Sequence, residues 1–101
     1  MKSIIDGAEV SVDFPDRVYV GTFGRRAGFE VKVGDDEAML RLVRDGDERC
    51  EATVHLHHYL LANVLSELAA CLEATNVIDE AHREPLQAAA KALVHALRKR
   101  R

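Results

Sequence analysis

The sequence predicts an α+β fold in two layers, a five-stranded antiparallel β-meander packed on one face by a C-terminal αα-hairpin. Apolar residues alternate with polar ones up to about residue 56, whereas leucines recur at every third or fourth position afterwards. The chain has 101 residues, of which 48% are apolar and 31% charged, a composition typical of one globular domain. We therefore expect residues 1–101 to form a single domain.

Five alternating runs between about residues 9 and 56 indicate strands with one buried face. Turn chemistry separates the runs, because Pro15-Asp16 suits a tight turn and glycines occur in each of the other loops. The alternating positions are Val10, Val12, Phe14; Val18, Val20, Thr22; Phe29, Val31, Val33; Ala38, Leu40, Leu42; and Cys50, Ala52, Val54, Leu56.

One strand register keeps every apolar position on the same face. It pairs Val12 with Val20, and Val20 with Val31. It then pairs Val31 with Leu40, and Leu40 with Ala52. A slip of one residue would turn a strand's apolar set toward water, so the pattern constrains the register strongly.

The opposite face of the meander is expected to meet water. The predicted register places Glu30, Arg41 and Glu51 opposite one another across three strands, as a ladder of alternating charge. Such a ladder is typical of a solvated face.

Two helices are predicted over residues of about 58–74 and 80–99, folded as an antiparallel hairpin about residue 79. The apolar stripes are Leu61, Leu65, Leu68, Leu72 and Leu86, Ala90, Leu93, Leu97, with the same steps of four, three and four. The second helix has two candidate starts, a cap at Asp79 and a first-turn proline at Pro85. We expect the main helix to begin near Pro85, because a proline deeper in a helix costs about 3 kcal/mol.

The composition favours a cytoplasmic protein. No apolar run approaches the roughly 20 residues that span a bilayer, and the first residues do not resemble a signal peptide. Cys50 and Cys71 form no CxxC pair, so both are expected to be reduced and buried.

Charge is spread unevenly along the chain, whose net charge is −3. Residues 1–56 carry 8 basic and 12 acidic side chains, hence −4, and residues 57–101 carry 6 and 5, hence +1. This balance argues against a dedicated nucleic-acid binder.

Anion or nucleic-acid contact is an alternative function. The two arginines of the loop from Gly24 to Gly28 and the basic tail at 98–101 are its candidates, namely Arg25, Arg26, Arg98, Lys99, Arg100 and Arg101. The loop lacks the strand–loop–helix setting of a phosphate-binding loop, and a helix dipole alone explains a basic C-terminus.

A metal or small-ligand site is a second alternative. Three histidines fall within four residues where the last strand becomes the first helix, and the predicted register brings two carboxylates near them. The candidate ligands are His55, His57, His58, Asp35 and Glu37. The spacing matches neither CxxC nor HExxH, so structural histidines are the stronger interpretation.

Catalysis is not predicted. The serines Ser3, Ser11 and Ser66 lie outside any nucleophile-elbow sequence, and Cys50 is expected to face the core. No glycine-rich dinucleotide motif occurs, so neither a catalytic residue nor a cofactor is expected.

The favoured function is a non-enzymatic protein-interaction module, such as a small adaptor, chaperone-like or regulatory protein, acting as a homodimer. Apolar residues lie beside the helical stripes and on the outward sheet face, and the meander leaves an edge strand open to strand addition. The candidate interface residues are Tyr19, Phe23, Met39, Val43, Leu60, Val64 and Val94, with Ala89 beside them.

Overall fold

The computed structural model describes residues 1–46 and 48–99. The α+β class is confirmed, because antiparallel strands precede two C-terminal helices. The chain divides into two compact units, Met1–Val64 and Leu65–Arg101. The elements are β1 (Lys2–Ser3), β2 (Ala8–Phe14), β3 (Arg17–Phe23), β4 (Ala27–Val33), β5 (Glu37–Arg44), β6 (Cys50–His57), α1 (His58–Ala74) and α2 (Glu80–Arg98).

The strands form two sheets, so the prediction of one five-stranded meander is wrong. A four-stranded sheet has the order β1-β4-β5-β6, and β2 pairs with β3 in a separate hairpin. The short strand β1 lies beside β4, where the prediction placed β3. Two residues are too few to show alternation, which is why the pattern did not indicate β1.

The predicted register is right for one strand pair and wrong for the others. Val31 pairs with Leu40 as predicted, but Leu40 pairs with Val54 rather than Ala52. That slip of two residues keeps the apolar positions on one face. Val20 has no pairing with Val31, because β3 and β4 lie in different sheets.

The β2–β3 hairpin departs from the prediction by one residue. Val12 pairs with Tyr19, and Ser11 pairs with Val20, so Val12 and Val20 point to opposite faces. The cause is the two-residue turn at Pro15-Asp16, which pairs Phe14 directly with Arg17. Turn length, rather than hydrophobic alternation, determines this register.

The buried hydrophobic side chains of the described residues are Phe23, Ala27 and Val43. They lie where β3 ends, β4 begins and β5 ends. Both Phe23 and Val43 were predicted to be exposed on the outward sheet face. Val43 shares the face of Arg41, but the predicted exposure is wrong, since the exposed fractions are 2% for Phe23 and 6% for Val43. A hydrogen bond of 2.6 Å from Arg44 Nη1 to the carbonyl oxygen of Thr22 ties β3 to β5 at this end.

The helices begin at well-defined positions. The His58 N–H donates to the carbonyl oxygen of Asp36 at 3.0 Å, and α1 follows β6 directly. Asp79 caps α2, because its carboxylate accepts from the His82 N–H at 3.0 Å. Hydrogen bonding to His82 also lowers the pKa of Asp79 below its ordinary value.

Pro85 lies inside α2 rather than in its first turn. The prediction that the main helix begins near Pro85 is therefore wrong, since the Asp79 cap starts the helix one turn earlier. Neither helix has a buried residue. No helix among the described residues is long and apolar enough to cross a membrane.

Both cysteines are free, but their predicted burial is not found. Cys50 is half-buried on β6 and Cys71 is exposed on α1.

Candidate protein-interaction surface

One face of β4, β5 and β6 carries nine apolar side chains in three rungs, which we call the apolar block. The strand registers place the members of each rung side by side. With the usual strand and residue spacings, the block covers roughly 300 Å². Its rungs are Phe29, Leu42, Ala52; Val31, Leu40, Val54; and Val33, Ala38, Leu56.

The apolar block is exposed at its centre. Val31 is 58% exposed, Leu40 39% and Val54 41%, whereas Phe29 and Leu42 in the adjacent rung are half-buried. The largest apolar patch on a typical monomer measures roughly 300–600 Å² and often has a function, and the footprint of the block reaches the lower end of that range. The block is therefore the leading candidate for an interaction site.

The opposite face of the same strands is polar, and its charges pair with one another. Arg41 Nε lies 2.6 Å from Glu51 Oε1, and Arg41 Nη1 lies 3.2 Å from Glu30 Oε1. Both hydrogen bonds raise the pKa of Arg41, and the bond to Glu51 has the larger effect. The same bond lowers the pKa of Glu51. The predicted contacts of the ladder are confirmed, although Thr53 rather than Glu51 stands opposite Arg41.

Glu37 lies between two of the candidate metal-ligating histidines. Its Oε1 is 3.2 Å from His55 Nδ1, and its Oε2 is 3.9 Å from His57 Nε2. His57, rather than His55, is its partner in the register. The two imidazoles share a face because they are two residues apart on β6.

The other candidate ligands lie apart from this pair. His58 Nε2 contacts the carbonyl oxygen of Gly34 at 3.0 Å, and Asp35 forms no hydrogen bond or ion pair with the imidazoles. Within residues 1–46 and 48–99, no group of three or more histidine, cysteine, aspartate or glutamate residues is arranged to hold a metal ion. The metal site stays a prediction.

The candidate anion-binding residues that the structure describes are exposed. Arg25 and Arg26 occupy the centre of a tight turn closed by a 2.9 Å hydrogen bond from the Ala27 N–H to the Gly24 carbonyl oxygen. Neither arginine forms an ion pair with another described residue. Arg98 ends α2 and Lys99 follows as its C-cap, while Arg100 and Arg101 lie outside the described residues.

A groove of about 430 Å³ lies between the β2–β3 hairpin and β6, and the hydrophobic alternation did not predict it. Five consecutive residues, from Cys50 to Val54, line one side of it. Because alternate residues point to opposite faces, an unbroken run means that the strand edge itself lines the groove. The hairpin side consists of Val10, Val12, Tyr19, Val20, Gly21 and Phe23.

The hairpin comes close to β6 at Gly21. A Cβ atom placed on Gly21 would lie 2.9 Å from Cys50 Sγ, so a larger residue would push the two apart. A glycine within a strand indicates close approach of another chain segment, and this signal was available in the sequence. Among the described residues, β6 pairs only with β5, and β3 pairs only with β2.

The remaining candidate interface residues differ in their surroundings. Tyr19 is exposed, lines the groove, and packs edge-on against Phe14 with ring centroids 6.0 Å apart. Met39 is half-buried on the polar face, next to His55. The helical candidates Leu60, Val64 and Val94 are all exposed.

The fold and the surface define an α+β protein with an open apolar sheet face and an unpaired strand edge. Comparison of the chain with models of known protein families, with curated proteins and with solved structures finds no match. Its function therefore has to be inferred from its own residues.

Proposed function

We propose that this chain is a non-enzymatic protein-interaction module that works as a homodimer and uses the apolar block as its contact surface. The observation that supports the proposal is the exposure of Val31, Leu40 and Val54 at the centre of the block. Removing apolar surface from water is the main driving force of protein association. Covering these three half-exposed side chains would contribute on the order of 3 kcal/mol per chain.

The contrast between the two sheet faces supports binding rather than chemistry. Arg41 engages both Glu30 and Glu51, and Glu37 engages His55, so these charged groups act as partners of one another. The apolar block holds no charged or polar side chain that could orient a small substrate. A face of this kind binds a second apolar surface.

The helices carry exposed apolar surface of their own. Leu65, Leu68 and Leu72 of the predicted stripe are each between 39% and 49% exposed. The two-layer arrangement predicted from the sequence, with helical stripes covering the sheet face, is therefore part of this proposal. In the homodimer, stripes and blocks from two copies share one interior.

Two substitutions at neighbouring positions of β4 test the proposal. Val31 points into the apolar block, and Lys32 points to the polar face. Val31→Asp would place an unpaired charge in the interface, so the dimer should weaken more than about 100-fold. Lys32→Asp introduces the same side chain on the solvated face and should leave the dimer intact.

Light scattering coupled to size-exclusion chromatography measures the mass of both variants and of the unmodified chain. Far-UV circular dichroism shows whether each variant keeps its secondary structure. A monomeric unmodified chain, or a Val31→Asp variant that dimerises as well as Lys32→Asp, would show that the block is not the contact surface.

A further inference from the structure

The edge of β6 away from β5 carries no paired strand among the described residues, and the β2–β3 hairpin lies beside its Cys50 end. The strand is eight residues long, pairs with β5 on one side only, and contains neither proline nor lysine, the residues that commonly block edge pairing. Its backbone N–H and C=O groups on the free side form a template for another extended strand. Part of that side, from Cys50 to Val54, faces the groove beside the hairpin.

We propose that β6 pairs antiparallel with β6 of a second copy of this chain, about a two-fold axis at Thr53. This inference rests on the proposed homodimer and names the contact that aligns its two copies. The pairing joins two four-stranded sheets into one continuous sheet of eight strands. Neither copy then retains a free β6 edge.

The apolar pattern of β6 restricts the register of this pairing. Apolar residues occupy the even positions from Cys50 to Leu56, and pairing an even position with an odd one would turn one copy's apolar face toward water. Two registers keep the faces aligned with seven paired residues, one centred on Thr53 and one on Val54. Of these two registers, the one centred on Thr53 includes all five β6 residues that line the groove, whereas the one centred on Val54 omits Cys50.

Charge complementarity favours a second copy over an unrelated strand. With Thr53 on the axis, Glu51 of one copy stands opposite His55 of the other, and the same contact occurs twice by symmetry. His55 places Nδ1 3.2 Å from Glu37, and its Nε2 bonds no described residue; the imidazolium form, in which both ring nitrogens carry hydrogen, donates to Glu37 and to Glu51 together. Glu51 accepts from Arg41 and Arg49 and still has lone pairs available.

The pairing also continues the apolar block across the axis. Ala52 of one copy meets Val54 of the other on the apolar face, next to rungs that are already apolar. The two blocks then lie side by side as one surface, about twice the roughly 300 Å² of a single block, which the edge contact aligns but does not itself cover. The hairpin wall of the groove, with Val12 and Tyr19, flanks the entering strand.

A symmetric cysteine tests the axis directly. In a cysteine-free background (Cys50→Ala, Cys71→Ala), Thr53→Cys places two thiols opposite each other, at Cα separations of about 4.5–5.5 Å that a disulfide spans. Mild oxidation should convert most of this variant into a disulfide-linked dimer on a non-reducing gel. Ser11→Cys on β2, also exposed, is the control and should stay unlinked.

A second pair of variants tests the edge without covalent chemistry. Thr53→Lys sets two like charges opposite each other at the axis, and Ser11→Lys adds the same charge elsewhere. Sedimentation equilibrium should show dimerisation weakened by about tenfold or more for Thr53→Lys alone. Circular dichroism confirms that both variants are folded.

The outcomes separate the two proposals. If the unmodified chain is a dimer, but Thr53→Cys does not cross-link and Thr53→Lys dimerises normally, β6 pairing is wrong and the homodimer stands. If the unmodified chain is a monomer at every concentration, both are wrong.

Discussion

The two faces of β4, β5 and β6 belong to the same strands, but their side chains differ in whether they find partners within one chain. On one face, Arg41 binds Glu30 and Glu51. On the other, the apolar block leaves Val31 58% and Leu40 39% exposed. The polar face is satisfied within one chain, whereas the apolar face gains free energy only when another surface covers it. This difference is the reason for proposing the apolar side of the sheet as the contact surface.

The largest effect is expected from truncating the centre of the apolar block. Leu40→Ala should lower the free energy of unfolding by about 2–4 kcal/mol if the dimer covers the block. Urea unfolding above the dimer dissociation constant measures this change. Met39→Ala, one residue away on the polar face, is the control and should cost less. Equal losses would contradict the contrast between the faces.

A smaller loss is expected on the polar face. Arg41→Met leaves Glu30 and Glu51 without their shared cation, so the melting temperature should fall by a few degrees while the dimer persists. Thermal melts followed by circular dichroism, with the mass measured in parallel, check both parts. Dissociation of the dimer by Arg41→Met would show that the polar face also forms the contact.

The pH dependence of stability should reveal the same ion pair. The hydrogen bond from Arg41 lowers the pKa of Glu51, so its stabilising contribution is present above the ordinary glutamate pKa. The contribution is lost as the pH falls through the lowered value. Melting temperatures from pH 7 down to pH 3 should therefore decline less in Arg41→Met than in the unmodified chain. Parallel curves would show that this pair contributes nothing.

Zinc binding at the histidines is expected to be absent. Glu37 contacts His55 and His57, but a structural zinc site needs four ligands. Calorimetric titration of the unmodified chain and of His57→Ala should give the same null result. Stoichiometric uptake that His57→Ala abolishes would establish the metal site and give the polar face a function of its own.

Nucleic-acid binding is likewise expected to be negligible. Arg25 and Arg26 are exposed and unpaired among the described residues, but the polar face offers no aromatic platform beside them. The affinity for nucleic acid is measured by fluorescence anisotropy, with labelled single-stranded and duplex probes at low and high salt. Salt-sensitive binding lost in the Arg25→Ala, Arg26→Ala variant would support the alternative function.

Local patterns in the sequence were sufficient to predict several elements. The leucine spacing located α1, and the alternation in β4 and β5 gave the pairing of Val31 with Leu40. The charge ladder around Arg41 followed from the same alternation. These features depend on near neighbours and on long, regular repeats.

The features that the sequence did not predict depend on short segments or on tertiary contacts. The Pro15-Asp16 turn sets the hairpin register against the apparent alternation, and the Asp79 cap starts α2 before Pro85. Burial of Phe23 and Val43 follows from how strand ends meet, which periodicity does not encode. The groove beside β6 exists only because β3 leaves the four-stranded sheet.

Sedimentation equilibrium of the unmodified chain tests the central claim most directly, because covering the apolar block by a second copy doubles the mass. We expect a species of twice 11.2 kDa that dissociates only on strong dilution. A mass of 11.2 kDa at every concentration would contradict the account, since the block would then be stable in water without a partner.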